Sequence, residues 1–551
     1  MFREKGRKRV AQERVAAFIN EMEEITNIAY TENRALAYCT TKSNTLDLFS
    51  GIAALRNATA DRMANIFNLY KKAYQEDKEL TTRMFFWLRD IRGGAGERKT
   101  FRQFLYLLAF HNPKLIIANL DNIAEYGRFD DLLILLDTDL QDDVLGYIDE
   151  KLGTDYNRMC RNLPVTLIAK WLPSENASNK DTVRYAKIIR KGLGLTSEEY
   201  RKALTRLRSY LNIVETKMSA GEWDSIDFAE VPSRAGMIYS SAFARHESDR
   251  YEKFIEDVAL GKVNINTSTL YPYDIVDKVI NLEDIGRSMK DRMAVEAKRK
   301  VFDLLWKNLP DYLEGIDDNI LCMVDTSGSM FQGYNSNVKP INIALSLGIY
   351  TAERNKGVFQ NKFLTFSGSP ALQTVKGNTI QEKVANMQRA DWAMNTNIEA
   401  AFNVILQSAI KAKTDPKDMI SKLVIISDME FDAANTSCDG YFRSKRSTYA
   451  PMKKFMPLMK DKFKAAGYEM PNLVYWNVDA RSGVVHSTLA DINFCMVSGA
   501  SPSIFVGIFN GEIEVDVVDE EGNITTQTEL DPMEVMKSTL MAERYDKVVV
   551  V

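Results

Sequence analysis

Residues 321–330 read Leu321-Cys322-Met323-Val324-Asp325-Thr326-Ser327-Gly328-Ser329-Met330. An uninterrupted apolar run before a polar turn predicts a strand buried on both faces. The turn itself, Asp-x-Ser-x-Ser, places one carboxylate and two hydroxyls on a tight loop at the strand end. These are hard oxygen donors, suited to part of an octahedral Mg²⁺ shell whose other positions take water, a second loop and a ligand's carboxylate or phosphate. A strand-to-helix turn with a helix N-cap accounts for the same residues without a metal. Two later segments favour the metal: Asn395-Thr396-Asn397, which opens a helix, and Val424-Ile425-Ile426-Ser427-Asp428, a second apolar strand ending in an acid.

Working outward, further short apolar runs lie at 320–324, 362–366, 423–427, 473–478 and 494–497, with helix-like segments at 341–354 and 398–412 between some of them. Alternating strand and helix predict an open, mostly parallel α/β sheet, which binds ligands at the carboxyl ends of its strands. Residues 512–530 alternate around a Glu-Glu-Gly-Asn turn and predict a β-hairpin before a last helix near 532–543. The loop constellation resembles the metal-ion-dependent adhesion site of von Willebrand factor A domains. That resemblance implies that Asp325, Ser327, Ser329, Thr396 and Asp428 share one Mg²⁺ or another divalent cation.

Upstream of about residue 316 the period changes. Apolar residues recur at three and four residue spacings, as in Phe101, Phe104, Leu105, Leu108 and Ala109, or Leu204, Leu207, Leu211 and Val214. Breaks such as His111-Asn112-Pro113 and Leu172-Pro173-Ser174 separate helices of ordinary length. A stack of helical hairpins follows, without a clean fixed period. Charge divides the chain at nearly the same place. Residues 1–300 hold 47 basic and 44 acidic side chains, net +3, leaving 24 and 31 of the totals of 71 and 75 for residues 301–551, net −7.

Overall the chain has 551 residues and a formal charge of −4, so a polyanion is held by a local patch and not by a global field. Five scattered cysteines without a C-x-x-C pair argue against a disulfide framework and for a reducing compartment. The basic start, residues 1–10, is followed by no apolar core of a signal peptide, and no apolar run is long enough to span a membrane. A cytoplasmic protein is expected. Three histidines, His111, His246 and His486, none near another, exclude histidine zinc hydrolases and most Ser/His or Cys/His triads.

Several phrases of the helical half stand in a telling order. Phe86-Trp87-Leu88-Arg89-Asp90-Ile91-Arg92-Gly93-Gly94-Ala95-Gly96-Glu97-Arg98 joins a helix end to an Arg- and Gly-rich turn; it lacks the Gly-Lys-Thr of a P-loop. Tyr126-Gly127-Arg128-Phe129-Asp130-Asp131, Ala169-Lys170-Trp171-Leu172-Pro173-Ser174, Val231-Pro232-Ser233-Arg234 and Phe243-Ala244-Arg245-His246 follow. Arginines between helices often cap carbonyls or pair with a helix carboxylate. Ahead of a von Willebrand A domain, however, these phrases resemble the TROVE module of the Ro ribonucleoprotein, and most closely the bacterial, phage and plant domain-of-unknown-function family 2828, over residues 46–545.

The resemblance implies an N-terminal all-α helical-repeat (HEAT-like) array over residues 1–315 and a C-terminal α/β, Rossmann-like von Willebrand factor A domain over residues 316–551. In the Ro family the helical repeats form a ring closed by the A domain, which binds structured small RNAs outside and single-stranded 3′ ends through its hole. RNA is therefore the expected partner, with a nuclease or another protein at the A-domain metal. Arg89, Arg92, Arg98, Lys99, Lys170 and Arg245 are the RNA-facing candidates, and basic clusters with aromatics such as Trp87, Phe101, Tyr185, Tyr200 and Tyr210 lie around them. The expected function is noncoding-RNA binding or scaffolding, not catalysis. A metal-dependent protein-interaction scaffold without RNA is the alternative. A hydrolytic reading would call on Asp391, Glu430 and Asp432 beside Asp325 and Asp428.

Overall fold

The computed structural model describes residue 22 and residues 26–282, 289–332, 338–366, 370–390, 398–431, 452–489, 491, 493–518 and 524–551. The part expected to be all-helical contains a hairpin, β1 (Ile28–Tyr30) antiparallel to β2 (Leu36–Tyr38), with Ile28 opposite Tyr38. This corrects the all-α expectation for residues 1–315. The cause is distant in sequence: Tyr38 exchanges both backbone hydrogen bonds with Val485, at 2.8 and 2.9 Å, so the hairpin is recruited by the α/β half. Local hydrophobic period carries no trace of such a pairing.

From Asn44–Ile52 to Met289–Lys307 the chain is then an irregular array of helices, from four residues (Ile168–Trp171) to twenty (Gln141–Cys160). Caps start them where polar residues precede apolar runs. Asp77 accepts Leu80 N at 2.8 Å ahead of Lys78–Arg89, and Thr196 and Glu199 form a reciprocal capping box ahead of Ser197–Tyr210.

The α/β half holds β3 (Ile320–Val324), β4 (Lys362–Thr365), β5 (Leu372–Thr374), β6 (Lys422–Ser427), β7 (Asn472–Asn477) and β8 (Phe494–Ser498) in one sheet of order β5-β4-β3-β6-β7-β8. All pairs are parallel except the β4–β5 edge. The expected hairpin also forms, β9 (Glu512–Val518) against β10 (Ile524–Leu530) in the register Glu512 opposite Leu530; its turn lies outside the described residues.

The parallel strands are apolar along their middle, between polar ends such as Lys422 and Asn472, because both sheet faces are covered. Leu321, Met323, Leu423, Ile425, Leu473 and Tyr475 pack with Phe402, Leu406, Met459 and Phe463 of the helices Ile398–Ala412 and Met452–Ala465. The alternate residues Cys322, Val324, Val424, Ile426, Val474 and Trp476 belong to a second core that runs without interruption into the helical half. Between lies the helix Pro340–Arg354, buried from Pro340 through Ala352. It is mostly apolar on every side, as an enclosed helix must be, and its buried Asn342, Ser346 and Thr351 each donate a hydrogen bond.

Helices from both ends of the array reach the α/β half. Ser498 Oγ donates to Phe49 O at 2.8 Å beside the helix Asn44–Ile52, and at the other end Asn342 Nδ2 donates to Asp277 Oδ1 at 3.1 Å. The array also meets itself, since Arg56 Nη2 donates to Tyr273 OH at 2.8 Å and its guanidinium lies 4.3 Å from that ring.

One carboxylate ties these parts together. Asp90, fully buried at the end of the helix Lys78–Arg89, accepts from Arg92 N (3.0 Å), Gly93 N (3.2 Å), Arg544 Nη2 (2.6 Å), Arg544 Nε and Tyr545 OH (3.1 Å). The segment after Arg544 then lies along the helices: Asn122 Nδ2 donates to Lys547 O at 2.9 Å, and Asn119 exchanges two hydrogen bonds with Val549 at 2.8 and 2.9 Å. Removing this carboxylate leaves buried amide and hydroxyl donors, and a guanidinium one third exposed, without their acceptor, which costs about 2 kcal/mol or more. Asp90→Ala should lower unfolding stability by about that amount in a urea titration. Surface-like behaviour, a change within about 0.5 kcal/mol, would contradict this role.

Candidate metal centre and nucleic-acid face

β3, β6 and β7 are neighbours and parallel, so their carboxyl ends share one edge, and an acid follows each: Asp325, Asp428 and Asp479. Asp325, 2% exposed, has both oxygens engaged. Ser327 N donates to Oδ1 at 2.8 Å and Ser427 Oγ to Oδ2 at 2.6 Å. The hydroxyls of Ser327 and Ser329 lie 3.0 Å apart on the same loop. The two are hydrogen bonded to each other, and the same ~3.0 Å separates two oxygens that a Mg²⁺ at ~2.1 Å would hold on adjacent octahedral vertices.

Asp428 is also 2% exposed. Burial, and next to it the charge of Asp428, push the Asp325 carboxyl above its ordinary range. A carboxyl whose charge is disfavoured by burial and by a neighbouring acid is one that a bound cation would stabilise. Among the described residues no three His, Cys, Asp or Glu side chains form a metal cluster by themselves. A donor set here would have to combine the serine hydroxyls with Asp325 and Asp428, a hard-oxygen set of the kind that Mg²⁺ takes. Thr396 lies outside the described residues, as do Asp391 and Asp432; the helix Ile398–Ala412 does begin just after the predicted Asn-Thr-Asn opening.

Several groups around this edge were not anticipated. Arg481 bridges Asp428 (Nη1 to Oδ2, 3.4 Å) and Glu32 (Nη2 to Oε2, 2.6 Å), linking the centre to the β1–β2 hairpin. Glu430 is buried and accepts from Glu32 N at 2.7 Å and Ser482 N at 3.2 Å, so it is a bracket for two loops and not a free base. Met429 between the two acids has φ +63°, a left-handed conformation uncommon outside Gly and typical of functional turns. Asp479 is 5% exposed and accepts from Asn57 Nδ2 at 3.2 Å; burial raises its carboxyl to about 7. The rule that flags Asp325 and Asp428, an acid just past an apolar strand, would also have flagged Asp479.

The RNA-facing candidates separate into two groups. Arg89 is 1% exposed and its Nε donates to Asp131 Oδ2 at 2.7 Å, with Asp131 itself fully buried. This corrects its assignment as an RNA contact, because a guanidinium enclosed with its counter-ion presents no face to a phosphate. The Gly-rich turn beside it is a joint. A Cβ on Gly94 would lie 2.2 Å from Trp87 O, and one on Gly96, at φ +70°, 2.2 Å from Tyr271 OH. Arg92, Arg98, Lys99 and Arg245 are exposed, and Lys170 is half-buried. Arg98 pairs with Asp130, Arg92 Nη1 donates to Glu125 O at 3.1 Å, Lys99 Nζ to Arg56 O at 3.4 Å, Arg245 Nε to Ser241 O at 3.0 Å, and Lys170 lies 3.7 Å from Glu215. Trp87, Phe101 and Tyr200 are core residues.

A basic groove lies elsewhere on the helical half. Lys180, Arg184, Lys187 and Lys191, exposed at helical spacing on one face of Lys180–Gly192, line an open groove of about 590 Å³ with Val183 and Ile188. Arg184 there is paired with Asp137 at 2.5 Å.

Comparison with known proteins identifies the family. Residues 31–160 and 158–315 match the family described as "Domain of unknown function (DUF2828)", and residues 319–540 match "Domain of unknown function (DUF7788)". The chain belongs to the DUF2828 family. "Uncharacterized protein L728" of Acanthamoeba polyphaga mimivirus is 30% identical over 524 residues, covering 89% of this chain and 86% of that protein. Among solved structures, this DUF2828 member is similar to the Deinococcus radiodurans RO (RSR) protein at 14% identity and TM-score 0.44, covering 84% of this chain and 98% of that one. No described helix is long and apolar enough to cross a membrane.

The raised Asp479 carboxyl makes a signed prediction. A folded-state pKa above the ordinary value gives stability that is present below about pH 4 and lost as pH rises through about 7. Asp479→Asn keeps an acceptor for Asn57 but cannot ionise. Its stability relative to the native chain should therefore grow by about 2.5 kcal/mol between pH 5 and pH 8, measured by denaturant titration at both. Identical pH dependence in both proteins would contradict the burial of an ionising group there.

Proposed function

We propose that this DUF2828 member is a cytoplasmic, Ro-like RNA-binding component that handles or scaffolds noncoding RNA. Its helical, HEAT-like half holds the RNA, and its von Willebrand A-type half holds one divalent cation, Mg²⁺, through Asp325, Ser327, Ser329, Thr396 and Asp428. The observation that carries the RNA reading is the groove beside the helix Lys180–Gly192. Three of its four cations, Lys180, Lys187 and Lys191, are exposed without a carboxylate in ion-pair range among the described residues. They span about 16 Å of helix, the form of a track for a phosphodiester backbone. The four described cysteines are free, which fits a reducing compartment.

When bound, the cation adds positive charge and an open coordination position for a carboxylate or phosphate. The chain's own residues orient the centre. Ser427 and the Ser327 amide fix the Asp325 carboxylate, and Arg481 holds Asp428 towards the β1–β2 hairpin. Glu430 is committed to backbone amides, which supports binding in place of phosphodiester hydrolysis.

Two measurements test the reading. Mg²⁺ at about ten times its Kd should stabilise the native chain by about 1.4 kcal/mol and leave Asp325→Ala unchanged. Equal responses in the two proteins reject the site. For RNA, the slope of log K against log salt should flatten by about 1.4 for single strands in the Lys187→Gln, Lys191→Gln double variant. An unchanged slope rejects the groove. Absence of RNA binding with a retained Mg²⁺ response leaves the metal-dependent protein scaffold as the function.

A further inference from the structure

A second face of the helical half combines cations with exposed rings. Residues 156–174 and 200–214 contain no Asp or Glu but seven basic side chains, Arg158, Arg161, Lys170, Arg201, Lys202, Arg206 and Arg208. The fold brings the two stretches together. Arg206 Nη1 donates to Tyr156 OH at 3.1 Å, and Tyr210 OH donates to Leu163 O at 3.1 Å, so the helix Ser197–Tyr210 is joined to the end of Gln141–Cys160 and to the loop after it.

That loop is built to project. Asp155, 1% exposed, accepts Thr166 N on both oxygens at 3.0 Å and Thr166 Oγ1 at 2.7 Å, while Arg158 Nε donates to Pro164 O at 2.6 Å. Held in this way, it presents Leu163 (44% exposed) and Leu167 (49%) beside Tyr156 and Tyr210 (38% each). Large apolar side chains gathered and exposed on one face mark an interaction surface. Both tyrosine hydroxyls are tethered, which fixes the rings and reduces the entropy lost when a flat partner lies on them.

The charges select the partner. Arg208 is turned inward to Ala169 O, Leu172 O and Ser174, and Lys202 pairs with Glu198. Lys170 lies 3.7 Å from Glu215, while Arg158, Arg161, Arg201 and Arg206 remain exposed, with no carboxylate in ion-pair range among the described residues. Aromatic faces among uncompensated arginines complement a chain that alternates flat bases with phosphates. A duplex keeps its bases stacked inside and offers only its backbone, so the rings and leucines gain nothing from it.

We propose that Tyr156, Tyr210 and the loop 161–167 form a stacking platform for unpaired nucleotide bases, with Arg158, Arg161 and Arg206 meeting the flanking phosphates. This rests on the RNA-binding reading and adds to it a preference for single strands and a second contact face beyond the lysine groove.

The test uses the full chain at one salt concentration with fluorescent oligouridine of about 15 nucleotides and an RNA duplex of about the same charge. Tyr156→Ala with Tyr210→Ala should weaken single-strand binding about tenfold or more and change duplex binding less than about twofold. Tyr156→Phe with Tyr210→Phe keeps the rings but frees them from their tethers, and should stay within about threefold of native affinity for the single strand and unchanged for the duplex. Native single-strand affinity in the alanine variant overturns the platform, as does equal loss for strand and duplex, or equal loss in the phenylalanine variant. Displacement of oligouridine by polyglutamate as effectively as by unlabelled oligouridine also overturns it, in favour of an acidic protein partner. A native chain that binds duplex but no single strand rejects the platform and leaves the RNA reading standing. One that binds neither removes both.

Discussion

Asp90 is a charge with no water around it, and a buried carboxylate is stable only where donors surround it. Its donors come from the two ends of the chain: backbone amides just past the helix Lys78–Arg89, and the Arg544 guanidinium with the Tyr545 hydroxyl. Much of the architecture follows from that requirement. The turn after Asp90 must be tight enough to bring its amides round, which places Gly94 against Trp87 O and Gly96 against Tyr271. With the C-terminal segment held there, the sheet lies against the helices and one apolar core serves both halves.

Strand positions in the α/β half were legible because a parallel strand covered on both faces is apolar along its middle. The runs at 320–324 and 423–427 coincide with β3 and β6 to within one residue. The same logic located Asp325 and Asp428, since acids immediately after such strands face the sheet's ligand-binding edge. Other features depend on partners far along the chain. β1–β2 has Val485 as its neighbour, and the three-residue β5 is an antiparallel edge too short to show a period. Arg89 lies in an Arg- and Gly-rich phrase that reads as a phosphate contact. Only the fold reveals that Asp131, 42 residues on, encloses it.

The two halves divide the electrostatics. The acids Asp325, Asp428 and Asp479 gather at the carboxyl edge of the sheet, where under the proposed function a cation would sit. The lysine groove and the arginine-tyrosine face both lie on the helical half, within residues 156–210. The match to the mimivirus protein runs over 524 residues and so includes both halves. An RNA held on one half and a cation on the other are compatible in a single body because the Asp90 joint keeps the two surfaces in fixed relation.

The most direct measurement is ultraviolet crosslinking of the full chain to RNA in its native cell, followed by mass spectrometry of the RNA-linked peptides. The account predicts links within residues 156–210, and few or none at the carboxyl edge around Asp325, Asp428 and Asp479. Crosslinks confined to the α/β half, or a chain recovered without RNA-linked peptides, would contradict it.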